Sequence, residues 1–157
     1  MSSNGFVVGI WGPPLWMIIH TISFNYPVHP TTLQKKQYLE YFTSLGHILP
    51  CGICRTNYET MTKDGKLKLT IDKFKNRDTL SRYVYDLHNC VNKRLGKKCT
   101  PSYACVKNRY ESMRASPCSG SGNEKGCIKP LNGNSKRTII RILDKEKCKG
   151  KRPLAFS

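Results

Sequence analysis

The chain has 157 residues, and its 27 Lys and Arg against 10 Asp and Glu give a formal net charge of +17. That length implies one domain with a modest core and room for a tail. No run approaches the roughly 18 apolar residues of a membrane span, and residues 1–5 lack the positive region of a secretion signal, so a soluble, unprocessed protein is expected.

The first helix is expected over residues 13–25. Pro13 and Pro14 suit an opening turn, Leu15, Ile18, Ile19 and Ile22 recur at helical spacing, and Tyr26-Pro27 ends the run. A second helix starts at Thr31 or Thr32, where Thr31 and Gln34 have capping-box spacing. Leu33, Tyr38, Phe42, Leu45 and Leu49 give it an apolar stripe, and Pro50 stops it. A third, shorter helix begins at Cys51-Gly52-Ile53-Cys54 and reaches about Met61 before the Asp64-Gly65 turn. The fourth has Asn76 or Asp78 as cap, the stripe Leu80, Val84, Leu87, Val91 and Leu95, and Gly96 as its stop. A short fifth covers residues 102–114.

No segment alternates like a strand, so the expected class is all-α, a four-helix bundle with a short fifth helix. Residues 116–123 have the Ser, Gly and Pro content of a linker, which divides the chain into a domain over 1–114 and a basic, largely irregular, cysteine-containing tail over 115–157. The net charge is +10 over residues 1–114 and +7 over the much shorter 115–157. Such a charge suits a polyanion such as nucleic acid, and equally a solubilising surface.

Eight cysteines in this length suggest metal or redox chemistry, or disulfide staples. Cys51 and Cys54 have the spacing of a redox dithiol at a helix start, where free N–H groups and the helix dipole lower a thiol pKa; Arg55 adds positive charge nearby. As half of a zinc site the pair needs two further ligands, and the chain has no second Cys-x-x-Cys; no metal site is expected. A purely structural disulfide over three residues closes too small a loop to stabilise much.

Three further segments join this pair. Trp11-Gly12-Pro13-Pro14-Leu15-Trp16 with His20 and Tyr26-Pro27, then His88-Asn89-Cys90-Val91-Asn92 with Leu95-Gly96-Lys97, then Arg109-Tyr110, stand in order around the Cys-x-x-Cys. Together they resemble the ERV/ALR family of FAD-linked sulfhydryl oxidases over roughly residues 8–112, and are most similar to the short forms of large DNA viruses. The resemblance implies a bundle that binds FAD and works as a homodimer. It implies oxidation of dithiol or protein-thiol substrates at Cys51 and Cys54, with Cys51 meeting substrate and Cys54 facing the flavin. Electrons would pass to FAD and then to O2, giving H2O2.

Trp16 and His20 would line the cofactor, and His88, Asn89, Val91, Asn92 and Lys97 would hold its adenine and phosphates, with Lys93 and Lys98 nearby. Arg109 and Tyr110 would close the site; the family usually has Trp at the second of these positions. Cys118 lies near an extra cysteine of several members and is a candidate electron shuttle, with Cys127 or Cys148 as partner. A viral origin implies host cytoplasm or virion. Two other classes stand beside this one: a zinc-stabilised nucleic-acid-binding module, and a non-enzymatic cysteine-rich assembly protein.

Overall fold

The structure is a computed structural model, and it describes residues 5–114. The expectations for the tail, with Cys118, Cys127 and Cys148, lie outside the described residues. Among these residues there are five α-helices and no strand: α1 (Val8–Asn25), α2 (Thr32–Ile48), α3 (Gly52–Lys63), α4 (Arg77–Arg94) and α5 (Tyr103–Glu111). The all-α expectation therefore holds. Helices α1 to α4 belong to one compact unit that runs to Thr100, whereas α5 belongs to a second, beginning at Pro101.

Helix α1 begins five residues before the expected start, so Pro13 and Pro14 lie inside it. The carbonyls that these prolines leave without an N–H donor are those of Gly9 and Ile10, both on exposed residues where water is available. The opening turn is held instead by Ile10 N–H donating to Val7 O (3.0 Å) and by the Trp11 indole N–H donating to Phe6 O (3.0 Å). Helix α2 has the anticipated capping box: Gln34 N–H donates to Thr31 Oγ1, and Thr31 N–H to the Gln34 side chain. Asn76, rather than Asp78, caps α4, paired reciprocally with Thr79.

Helix α1 packs mainly on α4 and α2 on α3, and a 3₁₀ turn at Ile71–Phe74 touches both α2 and α4. The core carries Ile19, Tyr26, Phe42, Leu45, Phe74, Leu80, Val84 and Leu87, all buried. Buried tyrosines bridge elements through their hydroxyls. Tyr26 donates to Phe74 O (2.9 Å), and Tyr58 of α3 donates to Phe42 O (2.7 Å). Each hydroxyl keeps a partner, so burying these large rings leaves no polar atom stranded.

Three expected stripe residues face out: Ile18, Leu33 and Leu95 are exposed. Leu95 is the C-cap of α4, one residue past its end. The next residue, Gly96, has φ +69°, a conformation that residues with a Cβ rarely adopt. Gly96 N–H donates to Lys93 O (3.1 Å) and Lys97 N–H to Asn92 O (3.0 Å), the paired bonds of a Schellman turn. This turn folds Lys97 back beside α4. The fifth helix is shorter than expected, opened by Ser102 as N-cap and ending at Glu111.

Candidate redox and ligand site

Cys51 is the N-cap of α3, with extended backbone, and it is disulfide-bonded to Cys54, Cα to Cα 5.1 Å. The Cys54 N–H donates to Cys51 Sγ at 3.3 Å, so a sulfur takes the place of a capping oxygen. Once the disulfide is reduced, this N–H and the helix dipole would favour the Cys51 thiolate. Arg55 fixes the corner before the pair, its guanidinium donating to Leu49 O at 2.6 Å, while Arg55 N–H donates to Cys51 O at 3.0 Å. Both cysteines are partly accessible, and Cys54 packs against the hydrophobic core.

A second cluster joins α1 to α4. The Trp16 indole stacks on the His88 imidazole, centroids 4.1 Å apart and planes 5° from parallel. His20, one turn after Trp16 and buried, places Nε2 3.0 Å from His88 Nδ1, so one of these nitrogens donates to the other. Burial, then the neighbouring His20, then the Lys97 charge pull the His88 pKa down to about 3, so the ring is neutral near pH 7. The Lys97 ammonium is itself pushed down by burial. Asn92 is buried one turn beyond His88, and Asn89 and Val91 are partly buried beside them.

Trp16 and His20 thus meet His88, 72 and 68 positions further along the chain, and Lys97, brought back by the Schellman turn, is near enough for its charge to act on His88. Lys93 and Lys98 are exposed. Arg109 and Tyr110 lie on α5, in the second unit, where Tyr110 is buried and its pKa is pushed up to about 12 by burial against the lowering effect of Arg109. Cys90, Cys99 and Cys105 are free thiols, Cys90 partly buried and the other two exposed.

No motif or periodicity marks the segment before α1. Phe6 N–H donates to Pro50 O at 2.9 Å, which lays residues 5 and 6 against the residue preceding Cys51. A Cβ on Gly5 would stand 2.5 Å from Pro50 O and 3.0 Å from the Cys51 Cα, so only glycine fits without displacement. The one sequence signal was Trp11, whose indole N–H holds the other side of Phe6.

This chain is 38% identical over 88 residues to a probable FAD-linked sulfhydryl oxidase of Acanthamoeba polyphaga mimivirus, covering 56% of this chain and 60% of that protein. It is 29% identical over 94 residues to the mitochondrial FAD-linked sulfhydryl oxidase ERV1 of Saccharomyces cerevisiae, covering 60% of this chain and 46% of that one. A third relative, the FAD-linked sulfhydryl oxidase of African swine fever virus, is 30% identical over 102 residues, 64% of this chain and 80% of its own. The chain therefore spans less than two thirds of the first two relatives, 60% and 46%. The crystal structure of the FAD binding domain of yeast Erv1 superposes with a TM-score of 0.59 at 26% identity, covering 67% of this chain and 94% of that domain. The Erv1 / Alr family model matches residues 13–111, a stretch that contains the disulfide-bonded pair and the Trp16–His20–His88–Lys97 cluster, and on that match the chain belongs to the Erv1 / Alr family.

Proposed function

We propose that the protein is a thiol oxidase that introduces disulfides into protein substrates, with Cys51 and Cys54 as its redox pair and FAD as its bound cofactor. The carrying observation is the Cys51–Cys54 disulfide at the N-terminus of α3, one sulfur accepting the Cys54 N–H and the other packed against the core. The related proteins named as FAD-linked sulfhydryl oxidases support the same reading.

The residues present fit a flavin dinucleotide. Trp16, His20 and His88 are the aromatic groups that would lie against a flat heteroaromatic ligand, and neutral His88 would offer it a ring nitrogen. The desolvation cost carried by the Lys97 ammonium is one that a phosphate would offset. Trp16, His20, His88, Asn89, Val91, Asn92 and Lys97 are the proposed holding residues; Arg109 and Tyr110 are proposed cofactor-binding residues on the family resemblance alone. When bound, FAD supplies a two-electron acceptor that dioxygen reoxidises, giving hydrogen peroxide.

The chain's own part is thiol exchange. A substrate thiolate bonds to Cys51 Sγ as the Cys51–Cys54 bond breaks, and Cys54 leaves as a thiolate. A second substrate thiolate then attacks the mixed disulfide, releasing the substrate disulfide and leaving Cys51 as a thiolate at the N-cap. Two electrons now reside on the pair, with Cys54 on the core side. The α3 N-terminus lowers the cost of both thiolate states, which is why the pair sits at a helix start.

The working unit is proposed to be a homodimer, and relatives in mimivirus and African swine fever virus support a viral setting in host cytoplasm or virion. The visible spectrum of purified protein and oxygen uptake with dithiothreitol test the reading. Bound flavin with dithiol-dependent uptake is expected, abolished in Cys51→Ser and in Cys54→Ser with the flavin spectrum retained. Zinc without flavin would favour a zinc-stabilised nucleic-acid module, and wild-type turnover by either variant would remove the pair from the mechanism.

A further inference from the structure

The wall beside Cys51 is not part of any helix. Residues 5–7 run over Pro50, clipped on one side by Phe6 N–H donating to Pro50 O (2.9 Å) and on the other by the Trp11 indole N–H donating to Phe6 O (3.0 Å). The segment is pressed so close that a Cβ at Gly5 would fall 3.0 Å from the Cys51 Cα. Gly5, Phe6, Pro50 and Arg55 line an open cavity of about 440 Å³ there. Phe6 is 77% exposed, and Ile53, between the two cysteines, is 64% exposed. A large aromatic held by two backbone clips and left in solvent is an unsatisfied apolar surface with a fixed address.

We propose that this strap is the specificity-determining element of the protein: Phe6, with Ile53, receives an apolar side chain next to the cysteine of an incoming polypeptide, so that extended protein thiols are preferred over small or polar ones. The inference rests on the thiol-oxidase reading above and names its substrate class. The occupant follows from covalent geometry. A mixed disulfide at Cys51 Sγ holds the substrate Cα roughly 5.5 Å from the Cys51 Cα. Each neighbouring residue of an extended segment adds about 3.3 Å. The residues flanking the substrate cysteine must therefore lie over whatever borders Cys51, and that border is the strap, Pro50, Ile53 and Arg55. The substrate sulfur bonds to Cys51 as Cys54 leaves; the strap takes no part in that exchange and acts only on what accompanies the thiol.

The test uses the full chain and oxygen uptake with three substrates: dithiothreitol, and two synthetic dithiol peptides that differ only in carrying Leu or Ser beside each cysteine. Wild type is expected to favour the Leu peptide by about tenfold in KM, the scale of one apolar side chain leaving water. Phe6→Ser, at an exposed position, is expected to bring that ratio close to one through KM, with kcat on the peptides little changed. Gly5→Ala, which displaces the strap without altering Phe6, is expected to reduce the ratio as well. Equal use of both peptides by wild type, or a preserved preference in Phe6→Ser, overturns the proposal while leaving the oxidase reading intact. A parallel fall on dithiothreitol places the effect on the disulfide rather than on recognition and also overturns it. If sedimentation shows that Phe6→Ser dissociates a dimer, a second copy covers this surface and the substrate assignment falls. Failure of wild type to oxidise even dithiothreitol removes the oxidase reading, and this inference with it.

Discussion

His88 stands among groups that all oppose its protonation: a buried setting against Trp16, the ring of His20 3.0 Å away, and the Lys97 charge. A folded-state pKa of about 3 against an ordinary value of 6.5 means that the unfolded chain binds a proton the folded chain refuses. Stability from this site is therefore complete above pH 6.5 and is lost progressively as pH falls toward 3. The loss reaches at most about 1.4 kcal/mol per pH unit within that window. Thermal unfolding of wild type and His88→Asn from pH 8 downward measures it. The wild-type curve should fall more steeply below pH 6.5, and parallel curves would show that the imidazole is not held neutral. The spacing of Trp16 and His20 put them on one helix face from sequence alone. The stack of Trp16 on His88 was not readable in that way, because it depends on the register between α1 and α4, which no local pattern encodes. Nor was the strap readable, since its signals are a backbone bond and a missing Cβ at Gly5.

At the scale of elements, several helix ends were legible, though not the start of α1 at Val8 nor the choice of Asn76 over Asp78, and the width of apolar stripes was not. Thr31 with Gln34, Asn76 with Thr79, and Gly96 each carry a cap whose donors and acceptors are fixed by three- or four-residue spacing. The turns at Gly65–Leu67 and Ile71–Phe74 are too short for a period to appear, although Phe74 is fully buried. In α1, Leu15, Ile18, Ile19 and Ile22 read as one inward stripe, yet Ile19 is buried and Ile18 is 49% exposed. Ile10, Pro14 and Ile18, four apart, form a second apolar line on the exposed side of α1. Two apolar faces on one helix are what a bundle needs when one faces its own core and the other a second copy. Ile18→Glu is accordingly expected to convert the proposed homodimer to monomer in sedimentation velocity, with the helical circular dichroism of wild type retained. A wild-type monomer, or a dimer unmoved by the charge, would assign this face to solvent.

At the scale of the whole chain, the redox pair and the ring cluster occupy one unit with one core, and the charge is spread unevenly along the sequence. Residues 115–157 carry +7, against +10 over the 114 residues before them, and the only aromatic in that tail is Phe156. Should residues 115–157 meet a polyanion, a dense charge without stacking rings favours phosphates over bases, hence affinity without sequence preference. Binding to a short duplex should then weaken with salt, log K against log salt falling with a slope of about −0.9 for each phosphate neutralised. Replacing the ten Lys and Arg of residues 115–157 by Gln is expected to flatten that slope by several units and to leave dithiol oxidation unchanged, because Cys51, Cys54, Trp16 and His88 all lie before residue 115. An unaltered slope would move polyanion binding to the basic surface of residues 1–114. A loss of oxidase turnover would instead tie the tail to delivery of electrons, where Cys118, Cys127 and Cys148 are the groups to substitute next.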